Sequence, residues 1–261
     1  MTIKRSSWSI PYLIFLLIFV VLPLVLIAIY AFQDGEGGFT FENIARFFTD
    51  QDSLSTFALS LEVAIENTAI CLLLGYPAAY ILARKDLNRS AVTVILFILP
   101  MWINALMRTL ATAELFNVMG VTLGKGTLLF GMAYDYLPFM IYPIYNTLNK
   151  MDKSYSEAAE DLGATPGQAL RKVMIPQLRP GMVSGFILAF TMSLDDFAVT
   201  FFTRGTVGLD TLSTYIYTDA RKGGLTPELR PLMTLIFATI LILLVIINIR
   251  QARLAKKAAA K

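Results

Sequence analysis

Histidine is absent from this chain of 261 residues, and cysteine occurs only once, as Cys71. Without histidine, the chain cannot form a histidine zinc site, a Ser-His-Asp triad or a histidine proton relay. A single cysteine excludes a disulfide within the chain. Charged residues make up 16% of the sequence, below the roughly 25% typical of soluble domains. The scarcity of these groups argues against an enzyme and directs attention to the apolar segments.

Long apolar runs dominate the sequence, which is 56% hydrophobic with a mean hydropathy of +0.62. A helix needs about 20 mostly apolar residues to cross a bilayer. We therefore predict an all-α integral membrane protein of one domain, 1–261, with six transmembrane helices. The predicted spans are residues 11–32, 58–83, 91–113, 127–148, 181–203 and 231–249. The first run is too long for a signal peptide and no small-residue cleavage site follows it, so we interpret it as an uncleaved span.

The distribution of basic residues predicts how the spans are oriented. Lysine and arginine concentrate near the N-terminus, at 84–89, at 150–179 and in the C-terminal tail, whereas the 33–57 loop has a single arginine. Because basic loops favour the cytoplasm, both termini and the 150–179 segment are predicted to be cytoplasmic. The 204–230 loop also carries basic residues, but placing it inside would require a different number of spans, so six are retained.

A polar segment, 154–180, separates the fourth and fifth spans. Ser154 with Glu157 three residues later fits a capping box that begins a helix. Gly163 suits the position just after that helix, where a positive φ costs glycine little. Ala158 and Ala159 lie on a narrow face of small residues that a partner could approach closely.

A second helix is predicted to begin directly after Gly163. Thr165 caps it together with Gln168, and Pro166 occupies its first turn. Pro176 and Pro180 are predicted to end it. Periodicity alone leaves two interpretations of the whole segment open: an amphipathic connector between spans, or a docking surface.

A motif within this segment favours docking. Glu157-Ala158-Ala159, Gly163 and the later Val173-Met174-Ile175-Pro176 resemble the EAA loop of ABC importer permeases, E-A-A-x3-G-x9-I-x-L-P. The resemblance implies a type I ABC importer permease fold, in which this loop is a cytoplasmic coupling helix that docks into a partner ATPase. It implies that ATP and Mg are bound by that partner and that this chain holds no cofactor. The implied coupling residues are Glu157, Ala158, Ala159, Gly163 and Pro176.

Carboxylates inside the apolar runs are the second unusual feature. On the predicted topology, Glu66 and Asp135 lie about 12 Å, and Asp195 about 9 Å, below the outer face at 1.5 Å per residue. Charges at such depths usually mark a transport pathway. Acidic and aromatic groups together suit an organic ammonium ion. Pairing with Arg108 or Arg204, or hydrogen bonding between helices, is the alternative.

Neighbouring helical residues point about 100° apart, so only one of Asp195 and Asp196 is expected to face the pathway. The stretch Phe190-Thr191-Met192-Ser193-Leu194-Asp195-Asp196 resembles F-T-x-S-L-D-D of spermidine/putrescine permeases. The stretches Leu74–Pro77 and Leu99–Asn104 are similar to polyamine importer subunits as well, although to the other subunit of the pair. The predicted pathway residues are Asp195, Asp196, Glu66, Asp135, Trp102 and Tyr134.

This resemblance implies a bacterial inner-membrane importer for polyamines. The implied partners are a second permease subunit, two ATP-binding subunits, an extracytoplasmic binding protein and membrane lipid. A permease for an amino acid or inorganic ion, and a stand-alone secondary carrier, stay open as alternatives. The basic tail suggests lipid headgroups and topology, not nucleic acid. Gly124-Lys125-Gly126 fails as a P-loop because Met119 replaces its first glycine.

Overall fold

The computed structural model describes residues 10–33, 38–84, 87–88, 91–152, 154–205 and 208–222. Within these residues the regular structure is helical, apart from one isolated antiparallel bridge between Gln33 and Phe39. The chain divides into two compact units: Met1–Ser55 with Ile216–Lys261, and Thr56–Tyr215. The predicted sixth span, 231–249, and the basic tail lie outside the described residues.

The first unit begins with the first apolar run. Its helices are α1 (Ile10–Leu16), a π-helical turn (Leu17–Val21), α2 (Leu22–Ala31) and α3 (Glu42–Thr49). The first three cover the predicted span 11–32. After them, Phe32, Phe39 and Phe41 pack with ring centroids 5.1–5.5 Å apart. Arg46 pairs with Glu42 one turn away on α3, at 2.8 Å.

The second unit holds most of the remaining helices. They are α4 (Gln51–Ala83), α5 (Ala91–Ile98), α6 (Ala105–Val118), α7 (Lys125–Lys150), α8 (Ser154–Asp161), α9 (Pro166–Ala169), α10 (Ile175–Leu194), α11 (Ala198–Thr203) and α12 (Leu212–Arg221). The ends of α4 and α12 belong to the first unit. Among the described helices, α4 and the continuous stretch Gly167–Leu194 are long and apolar enough to cross a membrane. A bent pair, Val92–Trp102 with Ala105–Val118, would add a third span.

The third predicted span, 91–113, is not one straight helix. A 3₁₀ turn, Leu99–Trp102, follows α5, and the chain then bends by 97° before α6. Pro100 has no N–H to donate. Asn104 Oδ1 accepts hydrogen bonds from the N–H groups of Leu106 and Met107 at 3.0 and 3.4 Å. The asparagine therefore begins a new helix where hydropathy predicted a continuous one.

The prediction that Pro176 and Pro180 end a helix is wrong. A π-helical turn, Leu170–Met174, joins α9 to α10, and Pro180 lies inside α10. The π turn widens the helix just before Pro176, where the backbone already departs from α-helical hydrogen bonding. The predicted span 181–203 also differs at its other end, because α10 stops at Leu194 and α11 is a separate helix.

Helices α7 and α10 pack closely because α10 presents a small residue at every fourth position. Gly181, Gly185, Ala189 and Ser193 are all buried. A Cβ atom at Gly185 would lie 3.0 Å from the carbonyl oxygen of Met140 and 2.8 Å from its Sδ. Such small-residue faces let helices approach where no hydrophobic effect drives them together in lipid. The contact fixes α10 against α7 along its length.

We expect Gly185→Ala to destabilise the protein by about 1–3 kcal/mol, because the new methyl group overpacks a helix contact that includes backbone atoms. Thermal unfolding in detergent measures the effect. Gly126→Ala is the matched control, since a Cβ there meets nothing within 4 Å. Equal melting temperatures for the two variants would contradict the close contact.

Candidate functional site

The coupling segment predicted at 154–180 forms two helices joined by a tight turn. Helix α8 begins at Ser154, whose N–H donates to Asp152 Oδ1 at 3.0 Å. That hydrogen bond lowers the pKa of Asp152 below its ordinary value. The acceptor before the helix is thus Asp152, which the sequence pattern did not single out. The side chain of Glu157 lies outside the described part of the structure.

The turn after α8 has the geometry that the sequence predicted. Gly163 adopts φ +85°, and its N–H donates to Glu160 O at 2.9 Å. The N–H of Ala164 donates to Ala159 O at 3.0 Å, which completes a Schellman motif. This pair of hydrogen bonds confirms Gly163 as the residue that ends the first helix.

The second helix begins with the predicted reciprocal cap. Gln168 Oε1 accepts from the N–H of Thr165 at 3.1 Å, and Thr165 Oγ1 accepts from the N–H of Gln168 at 3.3 Å. Apolar side chains lie on the outside of this segment: Leu162 is 90% exposed and Tyr155 is 54% exposed. Exposed apolar groups on a rigid turn suit a docking surface.

Glu66 belongs to an ion cluster at one end of α7. Lys125 Nζ lies 2.5 Å from Glu62 Oε1 and 2.9 Å from Glu66 Oε1. The hydrogen bond to Glu62, followed by that to Glu66, raises the pKa of Lys125. Sequence reasoning missed Lys125 as a partner because the residue lies 59 positions from Glu66 and carries no local signal.

Asp135 lies on α7, next to α6, and is 1% exposed. Its Oδ1 is 3.5 Å from Arg108 Nε, and its Oδ2 accepts from the Thr109 hydroxyl at 3.1 Å. The Arg108 guanidinium also lies 6.0 Å from the centre of the Tyr134 ring. Pairing with Arg108, one of the two alternatives from the sequence, is therefore the arrangement in this conformation.

Asp195 and Asp196 follow the end of α10 and differ in exposure. Asp195 is exposed, whereas Asp196 is 5% exposed. Asp196 accepts four hydrogen bonds, from Tyr136 Oη at 2.6 Å, Val199 N at 3.2 Å, Thr200 N at 2.8 Å and Thr200 Oγ1 at 2.9 Å. The carboxylate of Asp196 thus holds the start of α11 and joins it to α7.

The remaining predicted residues lie near the bend after α5. Trp102 is 85% exposed, and Tyr134 lines a cavity of about 250 Å³. The cavity walls are apolar and come from Leu96, Phe97, Pro100, Tyr134, Leu137, Pro138 and Ile141. Among the described residues, Glu66 pairs with Lys125, Asp135 pairs with Arg108, and Asp196 accepts its hydrogen bonds from Tyr136, Val199 and Thr200. Each of these three acids therefore has its own set of partners.

Residues 2–259 match the family model described as binding-protein-dependent transport system inner membrane component. The chain belongs to this family. It is 33% identical over 210 residues to the spermidine/putrescine transport system permease protein PotC of Haemophilus influenzae, covering 80% of each chain. It is 29% identical over 251 residues to the putrescine transport system permease protein PotI of Escherichia coli, covering 91% of this permease and 88% of PotI.

A solved structure supports the same architecture. The permease aligns, with a TM-score of 0.67 and 18% identity, to a chain of a bacterial ABC transporter involved in import of the acidic polysaccharide alginate. The alignment covers 96% of this permease and 99% of that chain. The family confirms the prediction of an ABC importer permease, which is a transport subunit and not an enzyme.

We expect Asp196→Ala to lower the free energy of unfolding by about 2 kcal/mol or more, because it leaves the first turn of α11 and the Tyr136 hydroxyl without their charged acceptor. Thermal unfolding of the purified permease in detergent checks the value. Asp195→Ala is the matched control, as the neighbouring carboxylate is exposed. A larger loss for Asp195→Ala would contradict this assignment.

Proposed function

We propose that this permease is one subunit of an ABC importer that carries polyamines such as spermidine and putrescine across the bacterial inner membrane. The observation that carries the proposal is the 33% identity to a spermidine/putrescine permease over 80% of the chain. The match to a putrescine permease over 91% of the chain supports the same substrate class. The remaining subunits would be a second permease, two ATP-binding subunits that hold ATP and Mg, and an extracytoplasmic binding protein.

Polyamines are chains of methylene groups that carry ammonium ions, so a pathway needs acceptors for positive charge and apolar surfaces. Asp195 and Glu66 offer carboxylates that are at least partly exposed, and Trp102 and Tyr134 offer aromatic faces. Asp135 and Asp196 are buried in this conformation. We propose that the exposed acids receive substrate first and that the buried acids are reached after the helices move.

The coupling residues are proposed to be Glu157, Ala158, Ala159, Gly163 and Pro176. The rigid turn at Gly163, with Leu162 and Tyr155 exposed beside it, supports docking on a nucleotide-binding partner. The continuous helix Gly167–Leu194 begins just after this turn and ends next to Asp195. This helix is about 40 Å long at 1.5 Å per residue, so a displacement of α8 would be transmitted over that distance.

The reconstituted complex tests both the substrate and the coupling. We expect putrescine or spermidine, delivered by the binding protein, to stimulate ATP hydrolysis and to accumulate in proteoliposomes. Stimulation by amino acids or inorganic ions alone would overturn the polyamine proposal. Uptake by this chain in vesicles without an ATPase would overturn the ABC assignment.

Gly163→Val should uncouple hydrolysis from uptake, because a β-branched residue at φ +85° is strained by about 1–3 kcal/mol. Uptake per ATP hydrolysed is expected to fall about tenfold, the ratio that 1.4 kcal/mol produces, while the assembled complex stays intact. Gly167→Val is the matched control, because Gly167 has open space around it and no positive φ. Unchanged coupling in Gly163→Val would count against the docking role.

Thiol labelling tests the proposed topology of six spans with both termini and the coupling segment in the cytoplasm. Cys71 is buried, so a cysteine placed at exposed Glu160 would be the reactive thiol. We expect Glu160→Cys to react with an impermeant maleimide only after cells are permeabilised. Met119→Cys, at another exposed position, should react in intact cells. Labelling of residue 160 from outside would contradict the topology.

A further inference from the structure

One buried ion pair has fewer hydrogen bonds than its charges require. Arg108 is 6% exposed and Asp135 is 1% exposed, yet Arg108 Nε and Asp135 Oδ1 are 3.5 Å apart. Buried guanidinium–carboxylate pairs are normally held by hydrogen bonds of about 2.7–2.9 Å, often two at once. Within the described structure, Nε and Nη1 of Arg108 and Oδ1 of Asp135 have no hydrogen-bond partner.

The other oxygen of Asp135 is also weakly held. Its partner is the Thr109 hydroxyl at 3.1 Å, and that same hydroxyl lies 2.9 Å from the carbonyl oxygen of Ala105. A hydroxyl has one proton to donate, so Ala105 competes with Asp135 for it. Asp196, by contrast, accepts four hydrogen bonds from its own chain. Of the two buried acids, Asp135 is the one with unused capacity to accept hydrogen bonds.

The charges around Asp135 favour an additional cation. A second buried carboxylate, Asp196, accepts a hydrogen bond from Tyr136, the residue after Asp135, and Arg108 is the cation that pairs with Asp135. As ionised groups, these two carboxylates and one guanidinium carry one net negative charge. Tyr134, adjacent to Asp135 in sequence, presents its ring to the Arg108 guanidinium at 6.0 Å. An aromatic face and a carboxylate are also the two groups that hold an ammonium ion.

Arg108 lies beside the bend that precedes α6. It is in the first turn of α6, immediately after the 97° bend at Trp102 and Ala105, whereas Asp135 lies in the middle of α7. A hinge movement at the bend would carry the guanidinium away from a carboxylate that stays with α7. A carboxylate so deeply buried then stays ionised only if another cation takes the place of the guanidinium.

We propose that Arg108 is a specificity-determining residue of the transport pathway. It serves as a tethered cation that occupies the Asp135 carboxylate until an ammonium group of the substrate replaces it. This proposal rests on the proposed polyamine transport and adds a residue that exchanges places with the substrate. Any primary or secondary ammonium of a diamine supplies the required chemistry.

Chemical rescue of the assembled importer tests the exchange. In Arg108→Gln the Asp135 carboxylate loses its cation, so the complex should melt at a lower temperature, and added putrescine should raise that temperature by several degrees by binding the vacated site. Neither 1,4-butanediol, which lacks the two ammonium groups, nor sodium chloride at the ionic strength of the putrescine solution should raise the melting temperature. Putrescine should have little effect on Asp135→Asn, on the double variant Arg108→Gln/Asp135→Asn, or on Arg204→Gln. The last removes the arginine that pairs with Asp210 beside Phe201, and it is the matched control.

Uptake separates transport from a purely structural pair. Removing both charges in the double variant should restore thermal stability. Both the double variant and Asp135→Asn should nevertheless import putrescine roughly tenfold more slowly than wild type, because each loses a charged hydrogen bond to the substrate. Wild-type uptake by the double variant, or no rescue of Arg108→Gln by putrescine, would overturn the exchange. If Arg108→Gln assembles only when cells are grown with putrescine, that outcome also supports it. Failure of the wild-type complex to import polyamines would instead overturn the proposed function.

Discussion

The close approach of α7 and α10 is the contact on which the rest of the second unit depends. Small residues at every fourth position of α10 let the two backbones meet at Met140. That contact holds the end of α10 beside Tyr136, whose hydroxyl reaches Asp196. The same continuous helix begins at Gly167, directly after the turn at Gly163, so the contact also fixes the helix that joins this turn to the acidic residues.

Two breaks in the helices of the second unit are each held by a polar side chain. At the first, Asn104 accepts hydrogen bonds from the backbone of α6, and at the second Asp196 does so for α11. A helix broken within a membrane leaves backbone groups that other groups must satisfy. At each break a side chain accepts hydrogen bonds from these backbone groups. The breaks therefore place Arg108 and Asp195 where continuous helices would not.

Local features were predictable because neighbouring residues specify them. The turn at Gly163 could be predicted from the lack of a Cβ atom in that one residue, and the Thr165–Gln168 cap from two side chains three positions apart. The prediction from the prolines was wrong because Pro176 follows a π turn that no periodicity rule anticipates, and α10 continues through Pro180. The third span misled for the opposite reason: hydropathy is continuous through Trp102, while the bend depends on one asparagine.

The sequence alone determined the apolar character of the chain, the turn at Gly163 and the membership of a permease family, since each resides in composition or in motif spacings. Only the tertiary structure decided which charges meet. Lys125 joins Glu66 across 59 residues, Asp135 on α7 faces Arg108 on α6, and Asp196 turns inward while Asp195 stays exposed. Such pairings depend on helix rotation and packing, which small residues far away in the chain set, and no local pattern encodes them.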